Sequence, residues 1–314
     1  MFAVGAVYYG VRTVLPDSSK PTPNPHGPML KVVIPRGATA VTISDLLEQH
    51  GIVSDGTRFR NYVKAQNQGT DFHPGRYQFQ AGTDYNVIIR KLNKGPVPQE
   101  VKLVIPEGYR ITQIVDSLKA VGMSPKAYKA ALAHTPPPAG WGATSMEGFL
   151  FPATYTIKPH EKPQTLIDQQ LAAFQDAFSQ VDMKYARSKN LTDYDVLKIA
   201  SMIEREAGAP SDRAKIAAVI YNRLHLQMAL GIDATLLYEY GSWTHQLTES
   251  ELHADTPYNT RVRQGLPPTP ISNPGLASLQ AAAHPADVDY LYYVAHNGRT
   301  YFTNSYNDFV AHGG

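Results

Sequence analysis

From Thr192 to Gly208 apolar residues recur at helical spacing, with Val196, Leu197, Ile199, Ala200 and Ile203 forming one stripe. Thr192 ahead of the stripe is an N-cap residue, Asp193 and Asp195 suit the positive end of the helix dipole, and Gly208 stands just past the end. At about 100° per residue, Glu204 falls on the edge of the stripe beside Ala200 and Leu197, whereas Arg205 points to the opposite side. An acid set in a partly apolar wall is costly to ionise, which makes Glu204 a candidate proton donor. The bland alternative is a helix-edge carboxylate paired with Arg205, Arg213 or Arg223.

Upstream, the pattern repeats itself. Val33-Ile-Pro-Arg-Gly37 returns as Val104-Ile-Pro-Glu-Gly108, and at the same spacing Ile43, Leu47 and Gly51 match Ile114, Leu118 and Gly122. Each copy predicts a short strand, a Pro and Gly turn, and an amphipathic helix closed by Gly. A second helical stretch comes next in each, with Phe59, Tyr62 and Val63 in one copy and Tyr128, Ala131 and Leu132 in the other. Gly75 to Phe79 alternates as a strand, and a helix carrying Val87, Ile88, Ile89 and Leu92 runs to Gly95. The strand-helix-helix-strand order resembles the glycan-binding LysM module; a purely structural role accounts for it equally well.

Downstream, His134 to Gly142 reads as a linker through its three prolines, and Lys162 to Phe178 as a helix. Ser211 is an expected cap for a helix with Ile216, Val219, Ile220 and Leu224 on its buried face. Thr256 to Gly275 is dense in Pro, Gly, Asn and Thr and reads as a long loop. A helix over Leu276 to Ala283 stops at His284-Pro285, and a hairpin turning at Asn297-Gly298 closes the chain.

At the start, Phe2 to Val11 is apolar but too short to span a bilayer. Residues 1–15 are expected to be the remnant of a membrane anchor or an interfacial segment, and 16–28 a Pro-rich spacer that tethers the soluble domains. The expected organisation is α+β: a repeated small α/β, LysM-like region over 29–134, then a mixed α/β catalytic domain over 144–314.

Composition narrows the chemistry. The 314 residues are 43% hydrophobic and 18% charged, which suits globular domains, and a net charge of +2 from scattered Lys and Arg gives little support to a nucleic-acid surface. The absence of cysteine excludes disulfides, thiolate zinc and a thiol nucleophile, and the dispersed His show no metal spacing, so neither metal nor cofactor is expected. Nineteen Tyr supply aromatic faces of the kind that stack on sugars.

Several ordered motifs carry a more specific likeness: Glu147-Gly-Phe-Leu-Phe-Pro, Ala200-Ser-Met-Ile-Glu-Arg-Glu206, Val219-Ile-Tyr-Asn-Arg-Leu224, Asp233-Ala-Thr235, Tyr258-Asn-Thr260 and Gly265-Leu-Pro-Pro-Thr-Pro-Ile271. Together they resemble the MltG (YceG-like) family of membrane-anchored endolytic murein transglycosylases. The resemblance implies that Glu204 is the catalytic acid. It would protonate the glycosidic oxygen between N-acetylmuramic acid and N-acetylglucosamine, then take the proton of the muramyl C6 hydroxyl as that oxygen closes onto C1. It further implies substrate contacts at Glu147, Tyr155, Asp233, Thr235, Tyr258 and Asn259. Competing local roles are a backbone bond in a turn for Glu147, a helix cap for Asp233 and an Asx-turn for Tyr258-Asn259. Glu206 is expected to pair with a basic residue. The chain departs from the family pattern at Ala153, at Gly231-Ile232 and at Arg261, which bears on subsite contacts more than on the reaction.

The implied partners are peptidoglycan strands, peptidoglycan synthases such as penicillin-binding proteins, and the membrane through the N-terminal segment. The implied location is the bacterial cytoplasmic membrane, single-pass, with the catalytic part outside. Two other functions stay open: a hydrolase in which Asp233 or Glu147 activates water, and a non-catalytic glycan-binding scaffold.

Overall fold

A computed structural model describes residues 27–67, 71–96, 100–296 and 299–313. The expected anchor, nearly all of the spacer and the Asn297-Gly298 turn lie outside the described residues. Among those described, no helix is long and apolar enough to cross a membrane. The described residues form two compact units, divided in sequence between 96 and 100.

In the first unit, β1 (Met29–Ile34) and β2 (Gly75–Gln80) pair antiparallel, with Val32 opposite Tyr77 and Leu30 opposite Phe79. Alternation turns Val32, Ile34, Tyr77 and Phe79 to one buried face. That face is covered by α1 (Ala40–Gln49), α2 (Gly56–Ala65) and α3 (Tyr85–Lys94), through Ile43, Leu47, Phe59, Ile88, Ile89 and Leu92. Side-chain caps begin all three helices: Thr39 accepts from the Thr42 amide, Asp55 from Arg58 and Asp84 from Asn86.

The second unit opens with the same order: β3 (Val101–Val104), α4 (Ile111–Ser117), α5 (Pro125–Ala133), β4 (Thr154–Ile157) and α6 (Pro163–Phe178). β3 pairs antiparallel with β4, so the second repeat closes on a strand beyond the segment read as a linker. The supposed linker also contributes to the core, since Trp141 meets Phe149 and Phe178 edge-on at 5.2 and 4.7 Å between ring centres.

The rest of this unit is mainly helical: α7 (Lys184–Ser188), α8 (Asp193–Glu206), α9 (Arg213–His225), α10 (Asp233–Glu239), α11 (Glu249–Leu252), α12 (Leu276–Ala283) and α13 (Tyr306–Ala311). The hairpin of β5 (Tyr292–His296) and β6 (Arg299–Thr303) precedes α13. With three separate two-stranded sheets among the described residues, the fold is α+β.

α8 packs against α9, α10 and α12, and Val196, Leu197, Ile199, Ala200, Met202 and Ile203 are fully buried. Thr192 and Asp195 form a reciprocal capping box at its start. At its other end Ala207 leaves the helix in an extended conformation, and Gly208 stands just past the end as expected, without a left-handed φ. Ser211 does not cap α9; it lies in a single 3-10 turn over Pro210–Asp212 that leads into the helix.

Candidate active site

The last turn of α8 carries Glu204, whose side chain is only 7% exposed. The apolar stripe turns it inward, and two flanking elements meet it there. Glu204 Oε2 accepts a 2.9 Å hydrogen bond from the amide of Gly275, the residue just before α12. Oε1 lies 3.8 Å from Nη2 of Arg213, the first residue of α9. Arg213 is itself fixed, because its Nε donates to the buried Ser278 hydroxyl of α12 at 3.1 Å.

The loop joining β3 to α4 completes this corner. The Gly108 amide donates to Asn273 O at 2.9 Å, and the Asn273 amide donates to Tyr109 O at 2.8 Å, so Pro106–Tyr109 runs paired beside Ser272–Gly275. Gly108 has φ of +76°, and a Cβ there would stand 3.1 Å from Arg205 Nη1 and 3.5 Å from Glu204 Cγ. Next to it, the exposed Glu107 extends its carboxyl over Gly275. Burial first, then the charge of Glu204, holds Glu107 above the ordinary carboxylate range, while Arg213 draws it back.

Arg205 does not point freely to solvent. Its guanidinium stacks on Trp243, 4.1 Å from the ring centre, and Arg110 approaches the same indole at 5.3 Å. The Trp243 Nε1 donates to Gln113 at 2.8 Å, and Arg110 donates to Gly241 O. Two guanidiniums and an indole thus wall the site beside the Glu204 turn.

The structure separates the remaining candidates. Glu147, 3% exposed, is a hub: it accepts from the Ile111 amide at 3.1 Å, from Asn273 Nδ2 at 2.9 Å and from the Tyr238 hydroxyl at 3.3 Å. Burial pushes its pKa up to about 8 against these hydrogen bonds. Asn273 also accepts from the Leu150 amide at 2.8 Å, and through Ile111 and Asn273 Glu147 ties α4 to the 269–275 loop. Thr235 and Asn259 are wholly enclosed. The Thr235 hydroxyl donates to Ile232 O at 2.7 Å; Asn259 Nδ2 donates to Leu252 O and Ala254 O at 3.0 and 2.8 Å. Asn259 Oδ1 accepts from the Arg261 amide at 3.0 Å, an Asx-turn. Tyr155 is buried and donates to Phe151 O at 2.6 Å. The half-buried Tyr258 shares a 2.7 Å hydrogen bond with Thr269 and leans on Tyr238. Asp233 begins α10 without capping it and pairs with Arg261 Nε at 2.6 Å.

Glu206, expected to pair with a base, instead accepts a 2.9 Å hydrogen bond from the Tyr293 hydroxyl, and burial raises its pKa. Among the described residues no group of His, Cys, Asp and Glu has the composition of a metal site.

A protein-family model for the YceG-like family matches residues 32–312. The chain belongs to the YceG-like family. It is similar to an endolytic murein transglycosylase of Streptococcus pneumoniae strain R6, 32% identical over 336 residues that cover 96% of this chain and 60% of that protein. It therefore spans about 60% of the length of that relative. An endolytic murein transglycosylase of Bacillus subtilis strain 168 is 30% identical over 324 residues, covering 96% of this chain and 87% of its own length. Among solved structures, a YceG-like protein from Listeria monocytogenes matches with a TM-score of 0.58 and 31% identity, over 91% of this chain and 99% of that one.

In this YceG-like chain, sequence reasoning missed Glu107, Gly275, Arg110 and Trp243, and treated Arg213 only as a possible ion-pair partner. A signal did exist for Glu107. It is the position where the two repeats differ in charge, Arg36 in the first copy and Glu107 in the second.

Proposed function

We propose that the chain is an endolytic lytic transglycosylase of peptidoglycan and that Glu204 is its acid. The observation that supports this most directly is the setting of Glu204. It is an inward-turned carboxyl at the meeting of α8, α9 and α12, fixed on one oxygen by the Gly275 amide, with a guanidinium facing the other. A protonated Glu204 gives its proton to the glycosidic oxygen as the muramyl C1–O bond breaks and the bonding pair stays on that oxygen. The muramyl C6 hydroxyl closes onto C1, leaving a 1,6-anhydromuramyl end, and its proton returns to a carboxylate of the site. In a one-acid scheme that carboxylate is Glu204 itself.

Glu147, Thr235, Asn259 and Tyr155 serve this reading as the frame that holds the loops around the acid, while Tyr258 and Asp233 remain the proposed substrate contacts. The names of the relatives, endolytic murein transglycosylases, support peptidoglycan as substrate and the cell envelope as the site of action; nascent strands as substrate, and peptidoglycan synthases and the membrane as neighbours, are part of the proposal.

The test is mass spectrometry of products from purified peptidoglycan treated with the wild-type chain and with Glu204→Gln. Anhydromuramyl ends from the wild type that vanish in the variant are expected. Reducing ends would make the chain a hydrolase, and binding without any product would make it a scaffold.

A further inference from the structure

Glu107 stands in a setting that the one-acid scheme leaves unexplained. Gly275 has a φ of −79°, a conformation open to any residue, so glycine is not needed there for its backbone freedom. What it allows is a close approach: the Glu107 carboxyl lies over its α-carbon, and a Cβ there would force that side chain to swing away. The same glycine's amide holds Glu204 Oε2 at 2.9 Å, so two carboxyls meet one residue, one over its α-carbon and the other at its nitrogen.

Glu107 has no freedom to withdraw its backbone, because Gly108 is bonded to Asn273 O and packs against Glu204 Cγ. Its carboxyl makes no hydrogen bond or salt bridge to any described residue, and the residue is exposed. The charges facing these two carboxyls are Arg205 from α8 and Arg213 from α9. Holding two like-charged groups together costs free energy, which Arg213 offsets in part and which Glu107 does not recover through any hydrogen bond among the described residues. Such a group is available to a ligand.

Resting on the transglycosylase reading, we propose that Glu107 is the second catalytic carboxyl of the site and takes the proton of the muramyl C6 hydroxyl. Glu204 then acts as acid alone. Its proton goes to the leaving oxygen as the C1–O bond breaks; the C6 oxygen supplies the pair that forms the new C1–O bond; and the hydroxyl proton passes to Glu107. Afterwards Glu107 is protonated and Glu204 ionised, and transfer of one proton between them through solvent resets the site with no other reactant consumed. Desolvation of the carboxyl, and after it the charge of Glu204, raises the affinity of Glu107 for a proton, which suits a base.

The experiment measures kcat and KM of the full chain on purified glycan strands, for the wild type, Glu107→Gln and Glu107→Ala, with and without added formate. Glu107→Gln is expected to lower kcat by roughly 10²- to 10³-fold with KM within about threefold of wild type and an unchanged melting temperature. Formate is expected to restore part of the kcat lost in Glu107→Ala, a rescue that a structural role would not give. A kcat for Glu107→Gln within about threefold of wild type, a change confined to KM, or a loss in Glu107→Ala that formate leaves untouched would each overturn the proposal. Failure of the transglycosylase reading is visible separately, as a lack of anhydromuramyl ends from the wild type.

Discussion

The two repeats are built alike and used differently. Each runs strand, helix, helix, strand, helix, and each turns after its first strand through a glycine in the left-handed region, Gly37 at φ +73° and Gly108 at +76°. In the first repeat that turn is free: Arg36 and Gly37 are exposed, and a Cβ on Gly37 would meet nothing within 4 Å. In the second, Gly108 is buried against Glu204 and Arg205, and Glu107 lies over Gly275. The duplicated strand and turn supply a rigid bracket, and what the bracket carries depends on what packs around it. A fold element says little about function until its surroundings are known.

The largest effect should separate the repeats on activity. Glu204→Gln removes the proposed proton donor and is expected to lower the rate of anhydromuramyl formation by at least about 10³-fold, whereas Arg36→Gln, at the equivalent turn of the first repeat, should leave it within a factor of about two. Release of product from peptidoglycan measures both. Comparable losses in the two variants would mean that the first turn also reaches substrate, and the contrast would fail.

The second contrast lies in the cores. Among the described residues the first unit buries one polar side chain, Ser44, while the second encloses Glu147 with a pKa near 8 against an ordinary 4.5. The folded state keeps the Glu147 proton where the unfolded chain has lost it. Its contribution is therefore complete below about pH 4.5, declines as pH rises toward 8, and is level above that, by about 3 to 5 kcal/mol in total. Urea unfolding of the full chain at pH 5 and pH 9 should show this decline in the wild type and lose most of it in Glu147→Gln, whose amide stands in for the protonated acid toward Tyr238. An equal slope in both proteins would remove Glu147 as the cause.

How much of this was legible beforehand depends on the range of the interactions. Capping and periodicity are local, so the start of α8, its buried stripe, the inward turn of Glu204 and the limits of α12 were all readable from neighbouring residues. Gly208 was likewise readable as lying just past the end of α8, although the extended form in which the chain leaves at Ala207 was not. The partners of Glu206 and Glu147 were not readable, since Tyr293, Ile111 and Asn273 lie far along the chain. The role of Gly275 was hidden for another reason: in a loop rich in Pro and Gly it passes for an ordinary turn glycine, and only the fold brings its amide to Glu204 and the Glu107 carboxyl over its α-carbon.

The smallest and sharpest test substitutes the two turn glycines. Gly37→Ala and Gly108→Ala both force a Cβ into the left-handed region, and each should cost about 1 to 2 kcal/mol of stability for that reason alone. Only at position 108 does the new methyl group meet neighbours, at 3.1 Å from Arg205 Nη1 and 3.5 Å from Glu204 Cγ. The contact with Glu204 Cγ is ordinary van der Waals packing, so the group that must shift is the Arg205 guanidinium, stacked on Trp243 in the same turn of α8 as the acid. Gly108→Ala is therefore expected to lose roughly tenfold in kcat, where Gly37→Ala loses none once both are compared well below their melting temperatures. If the two variants matched in activity as they do in backbone strain, the second turn would be a bracket and nothing more, and the difference between the repeats would have to be sought in the 269–275 loop.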